Sequence, residues 1–247
     1  MQPSQIQRLL GEIPEGARVL DVGGGAAPFS RADHVIDALS FEEAGAGSDG
    51  SGPRAAGAAR LGPACWTKWD LCERRAWPFA DKSFDFAVCS HVLEDVRDPI
   101  WVCSELSRVA RAGYIETPSR VLEQSRGVEN PRYAGYLHHR WLVSAAGERL
   151  EFRHKPHVLH AVNDAIVMDL SPGRRINPRH AVLSLDWRGS VDAREVLEFD
   201  EERIVEELCR FAEVARELDE LTVSAGMPLG RRLRRHVYFG RLARGVR

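Results

Sequence analysis

The chain has 247 residues, of which 44% are apolar and 28% are charged, and its formal net charge is −2. This composition is typical of a globular protein large enough for one domain and an extension, and it excludes a wholly disordered or collagen-like chain. No stretch approaches the roughly 18 uncharged apolar residues that span a bilayer, and the first residues lack the pattern of a secretory signal. We therefore expect a cytoplasmic protein without a membrane partner.

Cysteine and arginine are distributed in ways that exclude further classes. The five cysteines form no C-x-x-C pair and are odd in number, which disfavours a structural zinc site and a disulfide framework. Residues 230–247 carry seven arginines and no acid. Because the rest of the chain has a net negative charge, the chain as a whole would not attract nucleic acid, and we do not expect nucleic acid as a partner. The basic run 231–235 could bind phosphate, an acidic partner or a membrane surface, but we favour a solvated tail or one that neutralises the acidic segment 200–220.

The first half of the chain predicts a helix and then strands that alternate with connections. Ile6, Leu9, Leu10 and Ile13 recur at helical spacing until Pro14 ends the pattern. Short apolar runs predict strands at residues 18–22, 34–37, 66–70, 83–90 and 114–117, with a helix at 102–110. The predicted fold class is therefore α/β, a Rossmann-like doubly wound sheet that is mostly parallel.

The remaining segments have mixed patterns. Residues 44–64 contain six glycines and seven alanines, which predicts a mobile surface loop. The later segments predict an antiparallel hairpin at one edge of the sheet (139–155), a helix (158–170), a second hairpin (181–187 with 191–199) and an acidic helix after Asp200. We expect residues 171–247 to form a C-terminal α+β extension of a domain at 1–170.

Residues 19–29, VLDVGGGAAPF, are the most informative stretch. A glycine turn after a parallel strand lets a ligand approach the backbone and presents N–H groups to an anion, although such a turn can also merely connect two elements. A dinucleotide loop is disfavoured because Pro28 replaces the third glycine of G-x-G-x-x-G. In addition, the carboxylate of Asp21 would repel a pyrophosphate, whereas it would suit an ammonium group.

The pattern D-x-G-x-G at this position resembles motif I of class I S-adenosylmethionine-dependent methyltransferases, in particular the type 11 methyltransferase-domain family. The resemblance continues through residues 78–99, where PF, DKSFDF and SHVLEDV are similar to the strand-four region of that family, with Asp95 where histidine is common. Residues 105–118 are similar to its passage into strand five. The resemblance covers about residues 16–120, with a shorter link between strands one and two than the usual full helix.

The resemblance implies S-adenosyl-L-methionine as the cofactor, with Asp37 on the ribose hydroxyls and Asp70 on the adenine amino group. The cofactor-binding residues that it implies are Asp21, Gly23, Gly24, Gly25, Pro28, Asp37, Asp70, Leu71, Ser90 and His91. The domain at 1–170 is accordingly the predicted methyltransferase domain.

Methyl transfer from a sulfonium requires alignment and the exclusion of water, and a base is needed only when the acceptor must lose a proton. His91 is the candidate base, because residues just after strand four line the methyl-donor end of the pocket in this family, although it could instead only pack beside the cofactor. Glu116 could be a base, contact substrate or form an ordinary ion pair. His138 and His139 are tentative substrate contacts.

The evenly spaced His154, His157 and His160 invite a metal site, but Pro156 interrupts them and no regular element places all three on one face, so we predict no metal. The predicted function is methyl transfer to an oxygen or nitrogen of a small molecule or biosynthetic intermediate. The alternatives are a non-catalytic partner or regulator that binds S-adenosylmethionine and, less favoured, an NAD(P)-dependent oxidoreductase. A homodimer through the C-terminal extension is a further prediction.

Overall fold

The structure is a computed structural model that describes residues 1–45, 61–161, 164–170, 174–218 and 221–224. Its α-helices are α1 (Pro3–Glu12), α2 (Phe41–Gly45), α3 (Pro99–Val109), α4 (Arg120–Glu123), α5 (Pro178–Ala181) and α6 (Glu201–Arg216). Its strands are β1 (Val19–Val22), β2 (His34–Asp37), β3 (Trp66–Lys68), β4 (Phe84–Ser90), β5 (Ala110–Pro118), β6 (Ser125–Arg126), β7 (Trp141–Ala146), β8 (Arg149–His154), β9 (Met168–Asp169), β10 (Arg174–Ile176), β11 (Val182–Arg188), β12 (Ala193–Glu195) and β13 (Thr222–Ser224).

A six-stranded sheet with the order β11-β5-β4-β1-β2-β3 forms the centre of the molecule. The first five strands in the sequence pair in parallel, and only β11 runs antiparallel to its neighbour β5. The chain builds outward from β1 through β2 to β3, and then returns to the other side of β1 with β4. In such sheets ligands bind at the carboxyl ends of the strands where the direction reverses, here between β1 and β4. The predicted α/β, Rossmann-like class is confirmed.

Side chains of alternate strand residues face two apolar layers, as the period of two in a strand requires. One layer contains Leu9 and Ile13 of α1 and is completed by Val19, Val35, Val88 and Tyr114 of the sheet. The other contains Val102 and Leu106 of α3 and is completed by Leu20, Ile36, Ala87 and Ile115. The helix α3 begins earlier than predicted because Asp98 caps it, with Oδ1 accepting a hydrogen bond from Trp101 N at 3.0 Å.

The connection between β1 and β2 is short, as the sequence predicts. Residues 23–33 are all described and contain turns without a helix. Backbone hydrogen bonds tie this segment directly to the two strands, since Gly23 N donates to Ile36 O and Asp33 N donates to Val19 O, each at 2.9 Å. The tips of β1 and β2 are therefore held together without a crossover helix.

The antiparallel parts of the sheet system differ from the prediction. The predicted hairpin forms as β7 and β8, but it belongs to a separate sheet, β12-β8-β7, and the antiparallel edge of the central sheet is the single strand β11. The second predicted hairpin is wrong, because β11 pairs with β5 while β12 pairs in parallel with β8. Trp187 gives a physical reason. Its indole packs over Gly113 of β5, where an added Cβ would lie 2.8 Å from the ring.

The helix predicted at 158–170 is also wrong. Among the described residues of this span, a 3₁₀ turn forms at His157–His160 and the strand β9 forms at Met168–Asp169, where it pairs with β6. The acidic helix is confirmed as α6, capped by Asp200. The predicted loop and the basic run fall largely on residues 46–60 and 225–247, outside the described residues. No helix within the described ranges is long and apolar enough to cross a membrane.

Candidate functional site

The glycine loop follows β1 at the carboxyl edge of the sheet. Gly23 has φ of +73°, and a Cβ there would lie 2.3 Å from Cγ2 of Val92, so a side chain is excluded by both backbone and packing. A Cβ on Gly24 would lie 2.7 Å from Oδ2 of Asp21 and 3.0 Å from Cβ of Pro28. At Gly25 an added Cβ would meet nothing within 4 Å, so the outer side of the loop leaves space for a ligand.

Asp21 lies beneath this loop and is only 4% exposed. Its Oδ2 accepts a hydrogen bond of 2.6 Å from Phe29 N, which pins the end of the loop to the strand. Burial raises the pKa of Asp21 to about 7, with the Phe29 hydrogen bond opposing the shift and the charge of Asp37 adding to it. This carboxyl group is therefore balanced between its neutral and charged forms at neutral pH.

Asp37 closes β2 and joins two segments. Its Oδ2 accepts from Gly25 N at 2.9 Å and its Oδ1 accepts from Leu39 N at 2.7 Å. Its backbone carbonyl accepts from Trp69 N at 2.8 Å, which brings the end of β3 alongside. Each carboxylate oxygen has two lone pairs, so both oxygens can accept a further donor.

Asp70, just beyond β3, is half exposed. Its Oδ1 accepts from Cys72 N at 3.0 Å and its Oδ2 forms an ion pair of 2.7 Å with Arg97. The hydrogen bond from Arg97 holds the pKa of Asp70 below its usual value. Leu71 is buried in the apolar layer beneath, so the backbone of this segment is fixed while the carboxylate of Asp70 stays accessible.

His91 follows β4 and lies between two buried carboxylates. Its backbone is left-handed, with φ of +58°, and its N–H donates to Glu116 O at 2.8 Å. The imidazole has Nε2 3.2 Å from Oε1 of Glu116 and Nδ1 3.5 Å from Oε1 of Glu94. Burial lowers the pKa of His91, but the interactions with Glu116 and Glu94 outweigh burial and raise it to about 9. His91 is thus an imidazolium at neutral pH, whereas the role of base predicted for it requires the neutral imidazole.

Glu116 is fully buried at the end of β5 and collects several donors. Tyr114 donates its hydroxyl to Oε2 at 2.7 Å, Gln2 N donates to Oε2 at 3.4 Å, and Ser90 donates to Oε1 at 3.4 Å. Burial raises the pKa of Glu116, but the hydrogen bonds from His91 and Tyr114 outweigh burial and lower it to about 2. Of the alternatives open for Glu116, this geometry favours the ion pair.

His138 and His139 lie just before β7 and reach the loop after β4. The backbone N–H groups of Arg140 and Trp141 donate to Glu94 O at 2.8 and 3.2 Å, which fixes this approach. Nε2 of each of the two histidines lies 3.9 Å from Oδ1 of Asp95. The two histidines therefore belong to the same end of the sheet as His91, as their tentative role requires.

Sequence reasoning missed two buried groups behind these histidines. Glu123 is fully buried and is contacted at Oε1 by His139 Nδ1 at 2.7 Å, and at Oε2 by Lys155 Nζ at 2.6 Å. One signal was present in the sequence, because Lys155 is one of only three lysines in a chain that otherwise uses arginine. Glu94, also buried, was visible only as part of the strand-four motif.

The chain is similar to known methyltransferases. Residues 3–161 match the family model described as a methyltransferase domain. An uncharacterized methyltransferase of Mycobacterium tuberculosis (strain ATCC 25618 / H37Rv) is 35% identical over 105 residues, which are 41% of this chain and 38% of that protein. The match therefore spans well under half of the length of this curated relative.

Two solved structures are also similar. An S-adenosylmethionine-dependent methyltransferase from Aquifex aeolicus is 22% identical and aligns over 48% of this chain and 69% of that chain, with a TM-score of 0.34. One from Mesorhizobium loti is 19% identical over 60% of this chain and 62% of that chain, with a TM-score of 0.35. The family assignment depends on the domain match, which covers more than half of the chain.

The chain belongs to the methyltransferase-domain family. The class predicted from the sequence, an S-adenosylmethionine-dependent methyltransferase, is confirmed, and S-adenosylmethionine is the cofactor. The described residues fit this molecule. Three carboxylates, those of Asp21, Asp37 and Asp70, stand at the tips of three neighbouring strands, which suits a ligand with an ammonium group, two ribose hydroxyls and an adenine amino group.

Proposed function

We propose that this chain transfers the methyl group of S-adenosylmethionine to an oxygen or nitrogen of a small-molecule acceptor or biosynthetic intermediate. The observation that carries the proposal is that Asp21, Asp37 and Asp70 lie at the carboxyl ends of three neighbouring strands, with Asp37 bonded to the glycine loop at Gly25 N and His91 at the tip of β4 on the other side of β1. When bound, the cofactor supplies an electrophilic methyl group on a sulfonium.

The proposed roles of the binding residues are those that the resemblance implies, and the positions of the residues are compatible with them. Asp37, whose two oxygens are already oriented by Gly25 N and Leu39 N, accepts the ribose hydroxyls. Asp70 accepts the adenine amino group, and Leu71 packs beneath it. Asp21 and the loop from Gly23 through Gly24 and Gly25 to Pro28 hold the amino-acid part, with Ser90 and His91 at the methyl-donor end.

Glu116 acts through His91 in this proposal and is a positioning residue. Its carboxylate, held ionised by the hydrogen bonds from His91 and Tyr114, fixes the imidazole and retains a proton on it. His91 accepts a proton from the acceptor only in the fraction of molecules in which it is neutral. With a pKa of about 9, this fraction is on the order of 1% at pH 7 and rises with pH.

The same observation favours a second candidate function. If the imidazolium of His91 stays locked between Glu94 and Glu116, the chain binds S-adenosylmethionine without deprotonating an acceptor and acts as a partner or regulator. The two candidates share the cofactor site and differ only in turnover.

One experiment separates the candidates. The full chain is titrated with S-adenosylhomocysteine by calorimetry and is then incubated with methyl-tritiated S-adenosylmethionine and a panel of hydroxyl and amine small molecules. The methyltransferase proposal is supported if the wild type transfers the label and H91N transfers less. The control H157A, which changes an exposed histidine, should transfer as much as the wild type. Binding of S-adenosylhomocysteine without transfer of label supports the non-catalytic partner or regulator. No binding of S-adenosylhomocysteine overturns both candidate functions.

The acceptor is proposed to be a small molecule because the sequence given contains no recognisable RNA-binding module or target-recognition domain. Assembly as a homodimer through residues 171–247 and a cytoplasmic location remain predictions. Size-exclusion chromatography with light scattering of the full chain tests the dimer, since the measured mass should then be twice that of one 27.6 kDa chain.

A further inference from the structure

A second cluster of side chains lies beside the loop after β4, outside the set assigned to S-adenosylmethionine. Oδ1 of Asp95 is 3.9 Å from Nε2 of His138 and 3.9 Å from Nε2 of His139, and one ligand atom from each of the three residues lies within 4.8 Å of the other two. Atoms bound to one Zn²⁺ at about 2.1 Å are at most about 4.2 Å apart. Two of the three separations therefore already fit a shared ion.

The carboxylate of Asp95 has an unsatisfied oxygen that suits a cation. Its Oδ1 is buried, and among the described residues it has no hydrogen-bond partner. A buried carboxylate oxygen that accepts no hydrogen bond is costly, because it has lost its water without gaining a donor at hydrogen-bond distance. A metal ion between Asp95 and the two imidazoles would satisfy it.

A carboxylate also holds the imidazole of His139 from the side away from Asp95. Oε1 of Glu123 lies 2.7 Å from Nδ1 of His139, so Nδ1 donates to the carboxylate and Nε2 presents its lone pair toward Asp95. A carboxylate behind a histidine is the usual way in which proteins fix the orientation of a metal-binding imidazole. Lys155 fixes Glu123 in turn, with Nζ donating to its Oε2 at 2.6 Å and to Ala134 O at 3.1 Å.

Charge and access both suit a cation. The carboxylates of Glu94, Asp95 and Glu123 face two cations, the ammonium group of Lys155 and the imidazolium of His91, which is shared between Glu94 and Glu116, so a net negative charge remains that favours a positive ion. The side chain of His138 is 44% exposed and that of Asp95 is 39% exposed, whereas that of His139 is 6% exposed. An ion can thus enter from solvent on the side of His138.

We propose that Asp95, His138 and His139 bind a divalent transition-metal ion of the Zn²⁺ type, with Glu123 orienting His139. Two imidazoles and one carboxylate are a ligand set that suits Zn²⁺, Co²⁺ or Fe²⁺, in preference to Mg²⁺ or Ca²⁺, which favour oxygen ligands. The histidines at 154, 157 and 160, whose spacing drew attention in the sequence, are not part of this site.

The test is metal titration of the untagged full chain after EDTA treatment. Co²⁺ is followed by its visible d–d absorption and Zn²⁺ by calorimetry, and we expect one equivalent of each to bind. The surface-accessible variants D95N and H138A should each weaken binding at least about 100-fold, and E123Q about 10- to 100-fold. H157A is the matched histidine control and should leave the titration unchanged.

Absence of saturable Co²⁺ absorption, or equal binding in the wild type, D95N and H138A, would overturn the proposal. Because E123Q could disturb folding through Lys155, circular dichroism is recorded for every variant and the conclusion depends on D95N and H138A. Titration with S-adenosylhomocysteine in the presence of EDTA keeps the two proposals apart. Cofactor binding without metal binding rejects only the metal site, and metal binding without cofactor binding rejects only the proposed function.

Discussion

Nε2 of His91 lies 3.2 Å from Oε1 of Glu116, on the neighbouring strand tip, and the backbone N–H of His91 donates to the carbonyl of the same glutamate. Strand register makes this double contact, since Ser90 of β4 pairs with Glu116 of β5 and the left-handed backbone at His91 turns its ring toward that residue. The contact determines the charge of the one imidazole at the proposed methyl-donor end.

Replacing Glu116 should move the titration of His91. E116Q keeps the shape and the hydrogen-bonding capacity of the side chain but removes the charge that stabilises the imidazolium, so the pKa of His91 should fall from about 9 toward its ordinary value. Histidine NMR titration measures this midpoint, and the pH profile of kcat/KM should shift to lower pH with it. E148Q changes an exposed glutamate and serves as the control. An unchanged midpoint in E116Q would reject the ion pair.

Asp21 should make cofactor affinity depend on pH. Its pKa of about 7 means that acidification protonates it, and a neutral carboxyl group no longer attracts an ammonium group. The Kd for S-adenosylhomocysteine should therefore rise as pH falls below 7, by up to about tenfold per pH unit. D21N can still accept the Phe29 N–H, so it should fold and lose this pH dependence. Calorimetry between pH 5.5 and 8.5 measures both proteins, and a slope retained in D21N would contradict the assignment.

The ion pair of Lys155 with Glu123 should be important for stability. Both side chains are almost completely buried, at 2% and 1% exposure, so K155M leaves an uncompensated charge and should cost about 3–5 kcal/mol of unfolding free energy. K68M removes the same kind of pair, with Glu43, at the surface and should cost far less, because solvent screens the two charges. Urea denaturation compares the two. The double variant E123Q/K155M should recover part of the lost unfolding free energy. Equal losses in K155M and K68M would contradict the claim that burial makes the Lys155–Glu123 pair important for stability.

Gly23 should tolerate no side chain. G147A tests backbone strain alone, since Gly147 has φ of +66° with nothing within 4 Å of an added Cβ, and it should cost about 1–2 kcal/mol. G23A adds a contact of 2.3 Å with Val92 and should cost about 1–3 kcal/mol more and weaken binding of S-adenosylhomocysteine. Urea denaturation measures both variants. Partial rescue by G23A/V92A would identify the clash as the cause, whereas equal costs for G23A and G147A would exclude it.

Local patterns in the sequence were sufficient to predict the central sheet and the residues at its carboxyl edge. The apolar runs that end at Val22, Asp37 and Ser90 are strands, and the glycines after Val22 turn where expected, because these features depend on a few adjacent residues. Pairing between distant segments was harder to predict. The position of β11 depends on Trp187 filling the space above Gly113, a contact between residues far apart in the chain.

The candidate site was predictable to a similar degree. Asp21 and Asp37 lie near the ends of β1 and β2, and His91 directly follows β4, so their placement comes from strand order. The charge of His91 was not predictable, because it depends on two carboxylates that fold around it from β5 and from the following loop. Likewise, the approach of His138 and His139 to Asp95 is created by backbone hydrogen bonds to Glu94 that no local pattern reveals.

Calorimetric titration with S-adenosylhomocysteine of the wild type, D37A and the exposed control D192N tests the central claim most directly. Asp37 is held at the strand tip by Gly25 N and Leu39 N, and charged hydrogen bonds to a ligand contribute about 1.5–3 kcal/mol. We predict one binding site in the wild type and in D192N, and a Kd about 10- to 100-fold higher in D37A. Equal affinity in all three proteins, or no binding by the wild type, would contradict the claim that these strand tips hold the cofactor.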